Sequence, residues 1–74
     1  MNRTFTWTAA PKTQITLTRT TETDGTHSLT THRIAGNGRR TVVQRVTGKT
    51  AGKADALWLM HVAHWTRKYG LPKK

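Results

Sequence analysis

The chain has 74 residues, which is enough for one small domain with a thin hydrophobic core. It has no cysteine, so neither a disulfide nor a thiolate zinc site can brace the fold. The formal net charge is +10, from 13 Lys and Arg against 3 Asp and Glu, and this excess indicates a polyanionic partner. The longest apolar run, residues 56–60, is too short to cross a bilayer, and no signal peptide is recognisable. We therefore expect a cytoplasmic protein that does not insert into membranes.

The first part of the chain predicts an antiparallel sheet. Apolar and polar residues alternate over residues 4–8, 15–20, 27–35 and 41–47. Turn signals lie at Asp24-Gly25 and at residues 36–38, where glycine accepts positive φ. The connections are too short for crossovers, so the strands form a meander. Whether the Phe5–Trp7 segment joins this sheet as a fourth strand is left open by the sequence.

The second part of the chain predicts one long helix over residues 51–69. Residues that fall on one side of this helix are Ala54, Leu57, Trp58, His61, Val62, Trp65 and Tyr69. Thr50 can cap its start, basic residues lie in its last turn, and Gly70 and Pro72 end it.

Together these elements predict one α+β domain over residues 1–74. A three- to four-stranded antiparallel β-meander, from about residue 4 to residue 47, packs one face against the C-terminal helix. Lys73 and Lys74 are expected to form a frayed basic tail.

Alternation along a strand predicts which side chains face away from the helix. In the segment 15–20, inward Ile15 and Leu17 turn Thr16 and Thr18 outward, and Thr20 with them. These threonines would lie on the uncovered face of the sheet.

In the third and fourth predicted strands, residues 27–35 and 41–47, the alternation gives a less clear orientation of the side chains. An inward Ile34 turns Leu29, Thr31 and Arg33 outward, whereas an inward Leu29 reverses all of them. In the last segment, Val42 and Val46 are expected to face the helix, which turns Val43, Arg45 and Thr47 outward.

A sheet face of threonine and arginine suits DNA. Arginine can donate two hydrogen bonds to guanine, while threonine offers a hydroxyl to phosphate and a methyl group to thymine. Arg39 and Arg40 at one sheet end, and backbone N–H groups at the helix start, suit phosphates. The predicted nucleic-acid-binding residues are Thr16, Thr18, Thr31, Arg33, Arg39, Arg40, Arg45, Lys49, Thr50 and Lys53. The alternative is an ordinary solvated β-surface whose charges serve solubility.

The layout of three segments resembles a known family. "TLTRTTETDGTHSLTTHRI", "RRTVVQRV" and "GKTAGKADAL" follow each other as strand, turn, strand, strand and helix entry. This order is similar to DNA-binding domains of the AP2 type and to the arm-site-binding domains of phage and transposon integrases, over residues 14–69. The resemblance implies that the sheet enters the major groove and that Thr16, Thr18, Thr31, Arg33 and Arg45 contact bases. "GKTAGKADA" is also similar to the last helix of double-stranded-RNA-binding domains, but the leading helix of those domains is missing here, which favours duplex DNA over RNA.

A different class of function is an alternative. Leu59 and Met60 fall off the packed side of the predicted helix, so a homodimer, a protein partner or the Phe5–Trp7 strand could cover them, or they could be scattered surface residues. The favoured hypothesis is an accessory or regulatory DNA-binding protein of phage or plasmid type. The alternative is a small inhibitor or adaptor that docks on an acidic host protein.

Enzymatic and metal chemistry have little support in the sequence. His61 and His64 are three residues apart on the helix, but no cysteine or neighbouring carboxylate completes a metal site. Gly48-Lys49-Thr50 resembles the end of a phosphate-binding loop, yet the glycine required five residues earlier is Val43. We expect no catalytic residues, no metal and no cofactor.

Overall fold

The predicted α+β architecture is confirmed in a computed structural model that describes residues 3–73. Its elements are β1 (Arg3–Ala10), β2 (Thr13–Thr21), β3 (His27–Ile34), β4 (Arg40–Lys49) and α1 (Ala51–Tyr69). The strands form one antiparallel sheet in the order β1-β2-β3-β4, and α1 packs on one face of it. The opposite face, called the open face below, is not covered by any described element.

The Phe5–Trp7 segment is the fourth strand of the sheet. It belongs to β1, where Phe5 pairs with Leu17 and Trp7 pairs with Ile15. Directly paired residues of antiparallel strands project to the same side, so both aromatic rings face α1 together with the apolar residues of β2. The strand therefore adds two large side chains to the core and does not fold over the outer side of the helix.

The core lies between α1 and the first three strands. Its buried apolar residues are Trp7, Ile15, Leu17, Leu29, Ala54 and Trp58. Phe5 lies edge-on to Trp58 with a centroid separation of 5.1 Å. The Trp7 indole N–H donates a hydrogen bond to the Thr66 hydroxyl at 3.3 Å, which satisfies the polar atom of a buried ring.

Helix α1 begins and ends where the sequence predicts. The Thr50 hydroxyl accepts a hydrogen bond from the Lys53 N–H at 3.4 Å, and this caps the first turn. At the other end, Gly70 has a φ of +91°, and its N–H donates to the Thr66 carbonyl at 2.8 Å. The predicted packed side is confirmed, because Ala54 and Trp58 are buried and the other members of that side are partly buried.

One ion pair connects the start of α1 to the sheet. The Arg19 guanidinium, on β2, donates to the Asp55 carboxylate. This hydrogen bond and the positive charge of Arg19 lower the pKa of Asp55. The hydrogen bonds that Asp24 accepts from Thr26 likewise lower the pKa of Asp24.

These lowered pKa values give the stability a defined acid dependence. A carboxyl whose pKa is lower in the folded state stabilises the fold above its unfolded pKa, and this contribution is lost as pH falls through the folded pKa. We expect the free energy of unfolding to fall between about pH 5 and 2, and Asp55→Asn to reduce that fall. Urea unfolding followed by circular dichroism at several pH values measures it. Glu22→Gln, which removes the same charge from the β2–β3 turn, is the control, and an unchanged acid dependence in Asp55→Asn would contradict the pairing.

A β-bulge in β4 overturns the predicted orientation of two valines. Thr31 pairs with Gln44 and His32 pairs with Val42, so Val43 is an extra residue in β4. Val42 consequently lies on the open face and is 56% exposed, whereas Val43 lines a cleft beside α1. The prediction that Val42 faces the helix and Val43 faces away is therefore wrong.

A second bulge lies at the end of β4. His27 pairs with Lys49 and Leu29 pairs with Val46, so β4 has one residue more than β3 in this stretch. Gly48 has a φ of +68°, which a residue with a side chain rarely adopts. Because His27 pairs with Lys49, the strand continues to Lys49, beyond the predicted end at residue 47. Val46 faces the helix as predicted, because it lies opposite buried Leu29.

The prediction that Thr31 and Arg33 face away from the helix is also wrong. Leu17 pairs with Thr31 and Ile15 pairs with Arg33, so both residues lie on the helix side of β3. Leu29 occupies the core in the middle of the domain, and Ile34 lies on the open face near the end of the strand. Burying a central leucine removes more apolar surface from water than burying a residue at the rim, and this decides the register.

The predicted frayed tail is wrong for Lys73, while Lys74 lies outside the described residues. The Thr6 N–H donates to the Lys73 carbonyl at 2.8 Å, and the Lys73 N–H donates to the Thr6 carbonyl at 2.7 Å. Lys73 thereby pairs with the outer edge of β1. Within residues 3–73, no helix has the length and apolar character that a bilayer crossing requires.

Candidate nucleic-acid interface

The open face is organised as rows of side chains that run across all four strands. The first row is Thr4, Thr18, Thr30 and Arg45; the second is Thr6, Thr16, His32 and Val42; the third is Thr8, Gln14, Ile34 and Arg40. Five of the six positions in β1 and β2 are threonine, and two rows end in an arginine on β4. The Thr4 and Thr18 hydroxyl oxygens are 3.3 Å apart. The face is thus polar along β1 and β2 and positively charged along β4.

The two predicted threonines of β2 differ in accessibility. Both project to the open face, as predicted, since the alternate residues Ile15 and Leu17 face the helix. Thr16 is only 5% exposed, because Thr6 and His32 flank it on the neighbouring strands. Thr18 is partly exposed and can contact a ligand above the sheet.

Arg45 lies on the open face, as predicted. It pairs with Thr30 and is exposed. The bulge at Val43 does not change its orientation, because Arg45 and Val46 follow the extra residue and keep the regular alternation. A long guanidinium side chain therefore projects from the edge strand β4, beside the short threonine side chains of the same row.

One end of the molecule carries basic residues and no acidic ones. We call it the basic end, and it consists of Lys12, Arg33, Arg39, Arg40, Arg67 and Lys68. The β1–β2 and β3–β4 turns meet there, since a Cβ on Gly36 would lie 2.7 Å from the Lys12 Cβ. The last turn of α1 ends beside the same two turns, and Lys68 lines a cleft there together with Ala10 and Thr13.

All three acidic residues lie at the opposite end. Glu22 and Asp24 belong to the β2–β3 turn, and Asp55 contacts Arg19 near the end of β2. The nine residues of β2 separate the two ends by roughly 30 Å. This distance exceeds the Debye length of about 8–10 Å at moderate salt, so the acidic groups do little to neutralise the basic end.

The predicted phosphate site at the helix start is partly occupied by the protein itself. The Thr50 hydroxyl accepts the Lys53 N–H, so one of the free donors at the start of α1 already has a partner. Lys49 is partly exposed and Lys53 is exposed, and both lie at the end of the molecule that carries the acidic residues. The ten predicted residues therefore fall into separate groups, on the open face, at the basic end, at the helix start and, for Thr31, in the core, where it is 1% exposed.

Leu59 and Met60 remain on the surface. They are 67% and 66% exposed, because β1 packs on the inner side of α1 and not over these residues. Met60 lines a cleft of about 370 Å³ between α1 and β4, with Val43 on the other side. Leu59 and Met60 thus form an exposed apolar strip on α1, and Met60 lies near the edge strand β4. The sequence suggested a second contact at these two residues.

Sequence inspection missed a cleft between the sheet and the last turns of α1. The cleft has a volume of about 380 Å³, and its walls include Ile15, Arg33, Trp65, Lys68 and Tyr69. The only indication of this cleft in the sequence is the spacing of Trp65 and Tyr69. They are four residues apart on the helix, with Lys68 between them. Trp65 packs against the core, as its place on the packed side of the helix predicts, but it is only partly buried.

The two helix histidines do not form a metal site with other described residues. Among residues 3–73, no three His, Asp, Glu or Cys side chains come together. Partial burial, and to a smaller extent the charge of His64, lowers the pKa of His61. This shift favours the neutral form of the His61 imidazole.

Comparison with protein families, with curated proteins and with solved structures finds no match to this chain.

Proposed function

We propose that the protein binds nucleic acid, and that the open face lies against the major groove of duplex DNA. The observation that carries this proposal is the uncovered face itself, which has threonines along β1 and β2 and the arginines Arg40 and Arg45 on β4. The basic end continues this face at one end of the sheet. At the opposite end, Glu22 and Asp24 line a cleft that Arg45 also borders, so the positive charge of the face is strongest toward the basic end. A polyanion of regular geometry is the partner that such a surface fits best.

The two arginine groups have different roles in this proposal. Arg45, in the middle of β4, would contact base edges, where its two-donor geometry discriminates guanine from other bases. Arg39 and Arg40, at the β3–β4 turn, would contact the phosphate backbone and fix the position of the protein. Thr18 and the neighbouring threonines would contribute hydroxyl contacts to phosphates and methyl contacts to thymine.

Replacing Arg45 tests the proposed base contact. Arg45→Ala should cost about 1–3 kcal/mol of binding free energy on a preferred duplex, selected beforehand from a random pool, and little on a scrambled duplex. Arg45→Lys is the matched control, because it keeps the charge but cannot donate two parallel hydrogen bonds to one guanine. Titrations of both duplexes, with a melting curve of each variant, give the result. An equal loss on both duplexes would contradict base contact by Arg45.

A protein-docking role is the second candidate, and the exposure of Leu59 and Met60 favours it. In this alternative, the protein is a small inhibitor or adaptor that binds an acidic protein through its positive charge and this apolar strip. The two hypotheses differ in the residues they require. The variant Leu59→Ala should leave DNA affinity unchanged if the open face binds DNA, but should weaken docking through the strip.

A further inference from the structure

We propose that the cleft at the end of α1 binds one unpaired nucleotide, that is, a flat base with its attached phosphate. This inference rests on the proposed function for its ligand class, but it concerns the other side of the sheet. It names the substrate as DNA with a single-stranded extension next to the duplex.

The walls of the cleft suit a base. The Trp65 and Tyr69 rings are stacked, with an interplanar angle of 5° and a centroid separation of 5.8 Å, so a flat base can extend this parallel stack. Ile15 and Ala9 provide apolar surface on the side of the sheet. Unpaired bases bind to proteins mainly by lying against aromatic rings, because every base presents a flat π-surface.

The charges at the cleft suit a phosphate. The Lys68 ammonium lies 5.9 Å from the centroid of the Trp65 ring and 5.4 Å from that of Tyr69, so it is held at the aromatic wall. Arg33 lines the cleft from β3. The acidic residues lie at the other end of the molecule, so a phosphate at this position meets two positive charges and no nearby negative one.

The size and shape of the cleft favour a single nucleotide over a duplex. Its volume of about 380 Å³ is at the lower end of the range for small-molecule sites. In a duplex the bases are stacked and paired, so their flat surfaces cannot reach a concave site. Only an unpaired nucleotide, on a strand or free in solution, can place a base against Trp65.

The basic end connects this cleft to the open face. Lys12 and Arg39 lie in turns at the end of the sheet, between its two sides, and Arg40 begins β4 beside them. A strand that leaves a duplex on the open face can pass over these turns, with its phosphates near positive charges, and place a base in the cleft. This route accounts for Arg33, which faces away from the proposed duplex.

The test compares four probes: a blunt duplex, the same duplex with a thymidine overhang of about 4 nucleotides, the overhang strand alone, and thymidine monophosphate. For the wild-type protein, the overhang should raise the affinity about tenfold over the blunt duplex. Lys68→Gln and Trp65→Ala should remove this gain. Trp65→Phe keeps an aromatic ring in the cleft, so it should retain most of the affinity gain. It also controls for unfolding caused by loss of the Trp65 ring.

Tryptophan fluorescence provides a second readout. Trp7 and Trp58 are buried, whereas Trp65 is partly exposed, so quenching by a bound base should come mainly from Trp65. The overhang probe should quench the emission of the wild-type protein and not that of Trp65→Phe. The blunt duplex should cause no such change in either protein.

The outcomes separate this inference from the proposed function. Equal affinity for blunt and overhang duplexes, or an overhang gain that persists in Trp65→Ala and Lys68→Gln, overturns the cleft and leaves duplex binding intact. Binding of the single strand with Trp65 dependence, but no binding of the blunt duplex, supports the cleft and overturns the proposed function. Binding of thymidine monophosphate alone with the same dependence supports the cleft and identifies a free nucleotide as the source of its ligand.

Discussion

Replacing Trp58 by alanine is expected to lower the free energy of unfolding by about 3–5 kcal/mol, the range for truncation of a buried aromatic side chain. Trp58 is 4% exposed and connects α1 to β1 through its contact with Phe5. The Arg3 guanidinium also lies over its ring, 5.8 Å from the centroid. A small domain has a total stability of only about 5–15 kcal/mol, so this one change should leave much of the protein unfolded at physiological temperature.

The neighbouring residue provides a matched control. Leu59 is the next residue in the same helix but is 67% exposed, so Leu59→Ala should change the free energy of unfolding by less than about 0.5 kcal/mol. Urea unfolding followed by far-ultraviolet circular dichroism compares the two variants. Similar losses in both would mean that α1 does not pack on the sheet through the side that contains Trp58.

The affinity for duplex DNA is expected to fall about a thousandfold between 50 and 200 mM salt. About five or six phosphate contacts release enough counterions to give a slope of roughly −5 for log K against log salt. Lys12, Arg39, Arg40 and Arg45 are exposed on the open face or at its basic end and supply most of these contacts. Titration of one duplex at four or more salt concentrations measures the slope. Binding that does not change with salt would exclude the proposed interface and favour docking on a protein through Leu59 and Met60.

Two arginines at the β3–β4 turn should account for a definable part of this slope. The double variant Arg39→Ala/Arg40→Ala should reduce its magnitude by about two and weaken binding evenly across sequences, because phosphate contacts carry no base information. The variant Arg39→Lys/Arg40→Lys keeps both charges and should keep the slope. A loss restricted to one sequence would show that this turn contacts bases.

The helix could be predicted fully from the sequence, and the strands with small errors. The reason is that their ends depend on residues close together in the chain. The start and end of α1 are determined by Thr50, Gly70 and a sustained apolar period, all of which act within a few residues. The hairpin turns depend in the same way on short glycine-containing segments. Such features need no knowledge of distant partners.

Strand orientation failed where the decision depended on distant partners. Leu29 and Ile34 are both apolar and are five residues apart, so they cannot share a face, and only packing against Leu17 and α1 decides which of them is buried. The bulge at Val43 has no local signal at all, because it arises from the pairing of β3 with β4. The choice between Leu29 and Ile34 explains why the predicted orientation of Thr31 and Arg33 is wrong. The predicted orientation of Arg45 is correct, because Arg45 follows the bulge and shares its alternation with Val46.

The positive charge of the candidate site could be predicted from the sequence, but the shape of its surface could not. The net charge and the alternation of threonine along β2 indicated a polar, positively charged sheet face. That all acidic residues gather at one end follows from the meander and could have been inferred from it. The aromatic cleft required the end of α1 to be placed against β1 and β3, which composition cannot provide.

The two bulges of β4 have a consequence for self-association. Between them, β4 and β3 keep regular register over only three residues at a time, Arg40–Val42 and Gln44–Val46. Fibril-forming segments need about six or seven residues in a flat, continuous strand. The rim strand therefore offers an incoming chain no straight template of that length, and its arginines add repulsion between copies. A protein with exposed Val42 and Val43 should for this reason resist β-sheet aggregation at concentrations where a regular edge strand would polymerise.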